Sequence, residues 1–211
     1  MDRDLWQRLD VSEAALEKLR LFAALVEKWT ARINLIARST VPEIWQRHIE
    51  DSARLALYAP PEARLWADFG SGAGFPGLVV AAILQDRDWP TRLILIESDL
   101  RKATFLREAV RQTGISAEIR AERSEKLPGL QADVVSARAL AALDNLLETM
   151  DLHGAPGAKG LFPKGETWGD EVAAARKSWS FTLDAHADPG HKGGIILELG
   201  NLHRAGRDRT A

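Results

Sequence analysis

Asp68-Phe69-Gly70-Ser71-Gly72-Ala73-Gly74-Phe75-Pro76-Gly77 lies between two apolar runs, Leu65-Trp66-Ala67 before it and Leu78 to Leu84 after it. The order is strand, tight turn, helix. Glycines serve where a backbone must turn sharply and come close to a ligand, and the helix that follows directs unpaired amides at whatever sits there. The turn therefore reads as a nucleotide seat. Asp68 stands at the strand end, just before the first glycine, where its carboxylate is expected to point toward the ligand. That charge repels a pyrophosphate and attracts a cation, which favours S-adenosylmethionine over a dinucleotide. The plain alternative is a strand-to-helix turn with no ligand, since a glycine pattern by itself is weak.

A second apolar run, Leu93-Ile94-Leu95-Ile96, ends in Glu97, twenty residues beyond Gly77. A carboxylate at that spacing can accept hydrogen bonds from ribose hydroxyls. Dinucleotide and S-adenosylmethionine domains share this feature, so Glu97 indicates a nucleoside without choosing its type.

With 211 residues, 45% of them hydrophobic, the chain can bury one sizeable core. A formal net charge of −2 excludes a chain that coats nucleic acid by charge alone, so any RNA contact must be local. There is no cysteine. Disulfides, thiolate metal ligands and a thiolate nucleophile are thereby excluded, and with the last goes cytosine C5 methylation; no metal site is expected. Charges at Asp2, Arg3 and Asp4 stand where a signal peptide needs an apolar run, and no apolar stretch is long enough to span a bilayer. A cytoplasmic protein without membrane contact is expected.

Leu16, Leu19, Phe22, Val26 and Trp29 recur at helical spacing behind Ser12, a good cap. Pro42 opens a second predicted helix that runs toward Tyr58 and stops at Pro60-Pro61. Residues 1–60 thus form an N-terminal helical extension. From Leu65 onward short apolar runs alternate with helical stretches, as in a parallel sheet wound with crossover helices. Further strands are expected at Ala117–Ala121, Val134–Ser136, Gly160–Pro163, Phe181–Ala187 and Ile195–Leu199, with helices at Asp99–Gln112, near Leu140–Leu152 and at Glu166–Lys177. The Pro-Gly-rich link before the last strand suits an antiparallel closing pair. The expected division is 1–60, a catalytic domain over 61–201, and a basic tail over 202–211.

Nearly the whole chain resembles a family of bacterial enzymes, RsmG or GidB. The resemblance is carried by Trp29 with Ile33-Asn34-Leu35-Ile36, by His48-Ile49-Glu50-Asp51-Ser52, by the glycine turn, by Ser136-Ala137-Arg138-Ala139 and by Pro163-Lys164-Gly165. It implies a class I S-adenosylmethionine-dependent methyltransferase fold, α/β and Rossmann-like, its doubly wound sheet mostly parallel with an antiparallel last strand. It also implies methyl transfer to N7 of a guanine in the 530 loop of 16S rRNA, in the 30S ribosomal subunit. On the matching positions, the cofactor contacts implied are Gly70, Phe75, Ser124, Glu125 and Arg138, beside Asp68, Gly72 and Glu97 from the reading above. The chain departs from the family at Gln85–Pro90, which reads as a longer loop, and at His191-Lys192-Gly193-Gly194, where relatives carry an arginine and a bulky residue.

Guanine N7 presents a lone pair at neutral pH, so the implied reaction requires positioning and no general base. Arg123 and Arg138 follow predicted strand ends on the ligand-binding edge and can donate to guanine O6. For Arg123 the competing reading is an ion pair with Glu122 or Glu125, and for Arg138 a structural ion pair. Lys164 is expected to bind an RNA phosphate, or else to be a solvated surface lysine. His48, Asp51 and Ser52 share a helix face, yet a hydrolytic triad is rejected because no nucleophile elbow or oxyanion site is visible. A buttress under the glycine turn is the reading for His48. Arg101 and Lys102 read as a solvated basic face with possible phosphate contacts, and Trp45 and Trp66 as core. A monomer is expected. The competing functions are a methyltransferase acting on another acceptor, a nicotinamide-dependent oxidoreductase, which Asp68 argues against, and a non-catalytic ribosome binder.

Overall fold

The computed structural model describes residues 2–138, 141–187 and 194–206. Asp2 caps α1 (Arg3–Leu9), its carboxylate accepting from the Leu5 amide at 3.0 Å. The sequence reading has no counterpart to this helix, because two turns are too short for a period to register. α2 (Glu13–Thr30) starts on the expected cap, with Ser12 Oγ accepting from the Ala15 amide.

The single helix expected from Pro42 to Tyr58 is instead a series of short pieces. A 3-10 stretch (Arg38–Glu43) leads into a π-helical turn (Trp45–Glu50), then α3 (Asp51–Ala53) and a second 3-10 stretch (Arg54–Tyr58). Tertiary hydrogen bonds supply a physical reason. One oxygen of Glu50 accepts from the Asp2 amide at 2.7 Å, the Trp6 indole at 3.3 Å and the Trp45 indole at 3.1 Å. Trp45 and Glu50 are five residues apart, which is the repeat of a π-turn.

The remaining elements follow the expected alternation: β1 (Leu65–Phe69), α4 (Gly77–Asp86), β2 (Arg92–Ile96), α5 (Leu100–Thr113), β3 (Glu118–Arg120), β4 (Ala132–Ala137), α6 (Leu143–His153), β5 (Gly154–Lys164), α7 (Trp168–Ala175), β6 (Trp179–Ala187) and β7 (Ile195–Arg204). They form a seven-stranded sheet in the order β3-β2-β1-β4-β5-β7-β6. β1 pairs in parallel with β2 and β4, and β4 with β5. β7 runs antiparallel to both β5 and β6, so the expected reversal at the last strand is present. It reaches Arg204, which pairs with Trp179, so the sheet extends past the expected boundary at residue 201. The Asp188–Gly193 link, His191–Gly193 with it, Ala139, Leu140 and the tail arginines Arg207 and Arg209 lie outside the described residues.

Strand alternation divides the core between the two faces of the sheet. Trp66, Leu93 and Leu95 join the cluster with Phe22, Ile49, Leu78 and Phe105, while Phe69, Ile94 and Ile96 join Val135, Leu147 and Phe162 on the other side. α1, α2 and the 38–58 segment share the first cluster with α4 and α5. Trp66 is fully buried, and Trp45 is half-buried against Trp6, ring centroids 5.7 Å apart. The strand order reverses between β1 and β4, and in such sheets ligands bind at the carboxyl ends of the strands beside that point.

Candidate active site

The turn after β1 takes its shape from glycines at positive φ, Gly70 at 63°, Gly72 at 54° and Gly74 at 90°. At Gly74 an added Cβ would also lie 2.9 Å from Leu78 and 3.0 Å from Phe22, so both conformation and space require glycine. Glu97 fastens this turn to the end of β2. Its Oε2 accepts from the Gly72 amide at 2.8 Å and its Oε1 from the Asp99 amide at 2.7 Å. A carboxylate has about four lone-pair sites, so this bracing leaves acceptor capacity for a ligand hydroxyl.

Asp68 occupies a different position from the one expected. It is fully buried. The Trp66 indole donates to Ser136 Oγ at 2.8 Å, and Ser136 Oγ donates to Asp68 Oδ1 at 2.6 Å. Oδ2 lies against the backbone of Gly77, where an added Cβ would be 2.9 Å from it. Asp68 therefore ties β1 to β4 and packs against the start of α4, and its carboxylate lines neither cavity at this edge of the sheet. A strand-end side chain turns inward when a serine on the neighbouring strand offers a donor, as Ser136 does here. Burial pushes the Asp68 pKa up to about 6, against the hydrogen bond from Ser136 and the field of Arg138.

Two cavities of about 610 Å³ each open at this edge of the sheet. The first is bounded by Gly70, the end of β2 at Ile96 and Ser98, the Arg123–Glu125 turn after β3, and one side of α6 including Asn145, Thr149 and His153. Gly70, Arg123, Ser124 and Glu125 are thus brought together as the sequence suggested. Arg123 is exposed and forms no ion pair with Glu122 or Glu125 among the described residues. His153, which sequence reasoning missed, is fully buried with neither ring nitrogen in a hydrogen bond among the described residues. Burial lowers its pKa, with the Ser124 backbone and Glu125 opposing.

The second cavity is lined by Thr40, Arg47, His48 and Asp51 from the helical segment, by Arg138 after β4, by Lys164 at the end of β5, and by Gly194 with the start of β7. Arg138 is its central cation. The guanidinium lies over the Phe75 ring, 5.6 Å from the centroid, while His48 stacks on the same ring at 5.1 Å. Nη2 donates to His48 Nδ1 and to the Arg47 carbonyl, the latter at 3.3 Å. His48 Nε2 is 2.9 Å from Thr40 Oγ1, which itself donates to the Ala37 carbonyl. With Nδ1 accepting, Nε2 carries the ring proton and donates to Thr40. His48 thus acts as a buttress on the glycine turn through Phe75, and it orients Arg138 as well. Arg138 Nη1 is buried with no hydrogen-bond partner among the described residues. Burial lowers the Arg138 pKa; Asp51 opposes this most strongly, Arg47 adds to it and Asp68 opposes it.

Lys164 departs from expectation. Its ammonium donates to the Ala141 carbonyl at 2.9 Å and to Glu171 Oε2 at 2.8 Å, and its side chain is only 9% exposed. Glu171 Oε2 also accepts from the Leu143 amide at the start of α6. Lys164 therefore braces the 141–143 segment between the cavities, and it is a wall residue in place of the expected open phosphate contact. Arg101 is paired with Asp99 at 3.0 Å and stands at the solvated surface.

Residues 15–189 match the family model described as GidB, rRNA small subunit methyltransferase G. The chain belongs to that family. It is 50% identical over 202 residues to the ribosomal RNA small subunit methyltransferase G of Cereibacter sphaeroides, covering 94% of this chain and 97% of that protein. The protein of the same description from a Ruegeria species is 43% identical, with 93% of this chain and 95% of that protein covered. Among solved structures, a methyltransferase from Geobacter sulfurreducens gives a TM-score of 0.55 at 15% identity, covering 85% of this chain and 87% of that one. An RNA methyltransferase from Salinibacter ruber in complex with S-adenosyl-L-homocysteine gives 0.51 at 18% identity, over 72% and 88%. These structural likenesses show the fold, a class I methyltransferase architecture. For this GidB-family member the two cavities then fall where such a sheet binds its ligands. No helix among the described residues is long and apolar enough to cross a membrane.

Proposed function

We propose that this protein transfers a methyl group from S-adenosylmethionine to N7 of a guanine in the 530 loop of 16S rRNA, using the first cavity for the cofactor and the second for the base. The observation that carries this reading is the pair of cavities at the carboxyl ends of the strands, both lined by Ala141 and the second by Arg138, in a chain of this family. The residues fit the cofactor: a turn held open by glycines and a fastened carboxylate at the end of β2, with an orphaned guanidinium nitrogen on Arg138 in the wall of the second cavity. Gly70, Gly72, Glu97, Ser124 and Glu125 would hold its nucleoside portion, with Phe75 under the Arg138 guanidinium on the side of the second cavity and Asp68 acting from its buried position.

S-adenosylmethionine supplies a methyl carbon on a sulfonium, which the N7 lone pair can take up while the bonding pair stays on sulfur, without proton transfer. The protein's part is orientation, which can supply roughly 7 to 11 kcal/mol of barrier reduction. Arg138 is locked from one side by His48 and the Arg47 carbonyl, so its open edge can bind guanine O6 without blocking N7. Arg123, at the rim of the first cavity, is assigned to RNA. Lys164 acts through the wall it holds. We further assign the substrate to the 30S subunit in the cytoplasm, a monomeric enzyme, and a 1–60 segment that serves as one wall of the base cavity.

The test is transfer of a labelled methyl group to 30S subunits lacking the modification, followed by cleavage at N7-methylguanine. One labelled guanine in the 530 loop is the expected result. S-adenosylmethionine binding without labelling would move the acceptor elsewhere, and NADH binding without S-adenosylmethionine binding would overturn the cofactor.

A further inference from the structure

The 38–58 segment is fastened to the sheet in its middle and at its end. In the middle, His48 and the Arg47 carbonyl meet Arg138 after β4. At the end, the Tyr58 ring stacks on the imidazole of His186 in β6, with centroids 3.9 Å apart and planes 15° from parallel. His186 Nε2 is 2.8 Å from Glu198 Oε2 in β7, and Glu198 Oε1 pairs with the Lys159 ammonium of β5 at 2.6 Å. Lys159 also donates to the Tyr58 carbonyl at 3.3 Å. Burial raises the Glu198 pKa, but the bonds from Lys159 and His186 outweigh it and hold the carboxyl below its usual range. An ionised carboxylate only accepts, so His186 Nε2 carries the ring proton and donates to it.

This bracket stands beside the second cavity. His186 is opposite Ile196 in the antiparallel β6–β7 ladder, and residues so paired share a face of the sheet. Ile195 and Ile196 line the cavity on one side, and Thr40, Arg47 and His48 of the 38–58 segment line it on another. The stack thus joins two walls of one cavity through their neighbours. A segment held at one point can rock about it, whereas a second point fixes its angle to the sheet. Among the described residues the first cavity has no lining from the 38–58 segment.

We propose that His186 is a positioning residue for the acceptor: stacked on Tyr58 and held by Glu198, it clamps the end of the 38–58 segment to β7 and so sets the width of the second cavity. The inference rests on the function proposed above, in which that cavity takes the base. Methyl transfer requires nucleophile, carbon and sulfur in line, so a wall free to rock costs rate without touching the cofactor.

The experiment uses the full-length protein and 30S subunits lacking the modification. His186→Ala is expected to lower kcat/KM for the subunit about tenfold, less than the loss that a full 1 Å misplacement can bring. Calorimetric affinity for S-adenosylmethionine is expected to stay within about twofold, which also certifies the fold. His186→Phe keeps a ring over Tyr58 without the bond to Glu198 and is expected to recover most of the loss. Tyr58→Leu removes the other ring and is expected to match His186→Ala, and the double variant to lose no more than either alone. The chain has no cysteine, so spin labels can be placed on two introduced ones, Gln46→Cys in the π-turn and Thr182→Cys in β6, both exposed. The distribution of distances between the labels is expected to broaden when His186→Ala is added. An unchanged kcat/KM or an unchanged distribution in folded variants overturns the clamp, as do additive losses in the double variant or an equal loss of S-adenosylmethionine binding. Wild-type enzyme inert on the subunits would instead overturn the parent function, and the label distances would then decide the clamp by themselves.

Discussion

The two cavities are of equal volume yet are built in different ways. The first is bounded by the ends of successive strands and the loops that follow them, so its lining follows the chain in order: Gly70, Ile96, Ser98, then Arg123 to Glu125. The second gathers side chains from the 38–58 segment, the end of β4, the end of β5 and the start of β7. A cavity of the first kind needs only the sheet topology. One of the second kind needs the helical segment docked in place, because His48 and the Arg47 carbonyl are what hold Arg138. The first cavity is thus the general part of the fold, and the second is the part that the 38–58 segment adds.

Removing the centre of the second cavity is the strongest way to break this comparison. Arg138→Ala is expected to lower kcat by about 10²- to 10³-fold, the usual loss when one oriented donor is removed, with the circular dichroism spectrum retained. Methyl incorporation into 30S subunits measures the first, and an unfolded variant would make Arg138 a structural residue.

Beneath both cavities, Asp68 gives a pH signature. Its folded pKa of about 6 lies above the ordinary aspartate value of 3.8, so between those values the folded state holds the proton more tightly. Stability is thus lost as pH rises through this window, and the ionised carboxylate carries the full penalty above it. Two units correspond to roughly 3 kcal/mol. Denaturant unfolding of Asp68→Asn against wild type should show the variant gaining about that much between pH 4 and pH 6.5; a flat difference would mean that Asp68 titrates normally.

Lys164→Ala tests the wall between the cavities. Leaving Glu171 without its cation should lower stability by about 1 to 3 kcal/mol. The salt dependence of RNA binding should stay unchanged; a shallower salt slope with full stability would restore the phosphate contact.

The smallest effect belongs to the rim of the first cavity. Arg123→Ala removes an exposed cation, so KM for the subunit should rise a few-fold and the salt slope of binding should fall by about one, with kcat unaltered. A large loss of kcat would place Arg123 against the base.

Legibility in the sequence follows the same division. The glycine turn, Glu97 and the strand ends that bear Arg123 and Arg138 were readable because each is defined by position along a local pattern. Side-chain direction was not. Asp68 and Lys164 both stand at strand ends, yet Asp68 turns under the turn to meet Ser136 and Lys164 turns into the wall to meet Glu171. Their partners are 68 and 7 residues away, and no local pattern carries that information.

The 38–58 segment makes the same point for the backbone, since its apolar spacing suits one helix and its hydrogen bonds to Asp2, Trp6 and Trp45 divide it. By itself, the sequence determined the order of strands and helices from Leu65 onward and the glycine turn, because glycine conformation and strand alternation are local consequences of residue type. Tertiary structure alone decided which charged groups face the cavities, because that depends on the donors and acceptors that burial brings within about 3 Å.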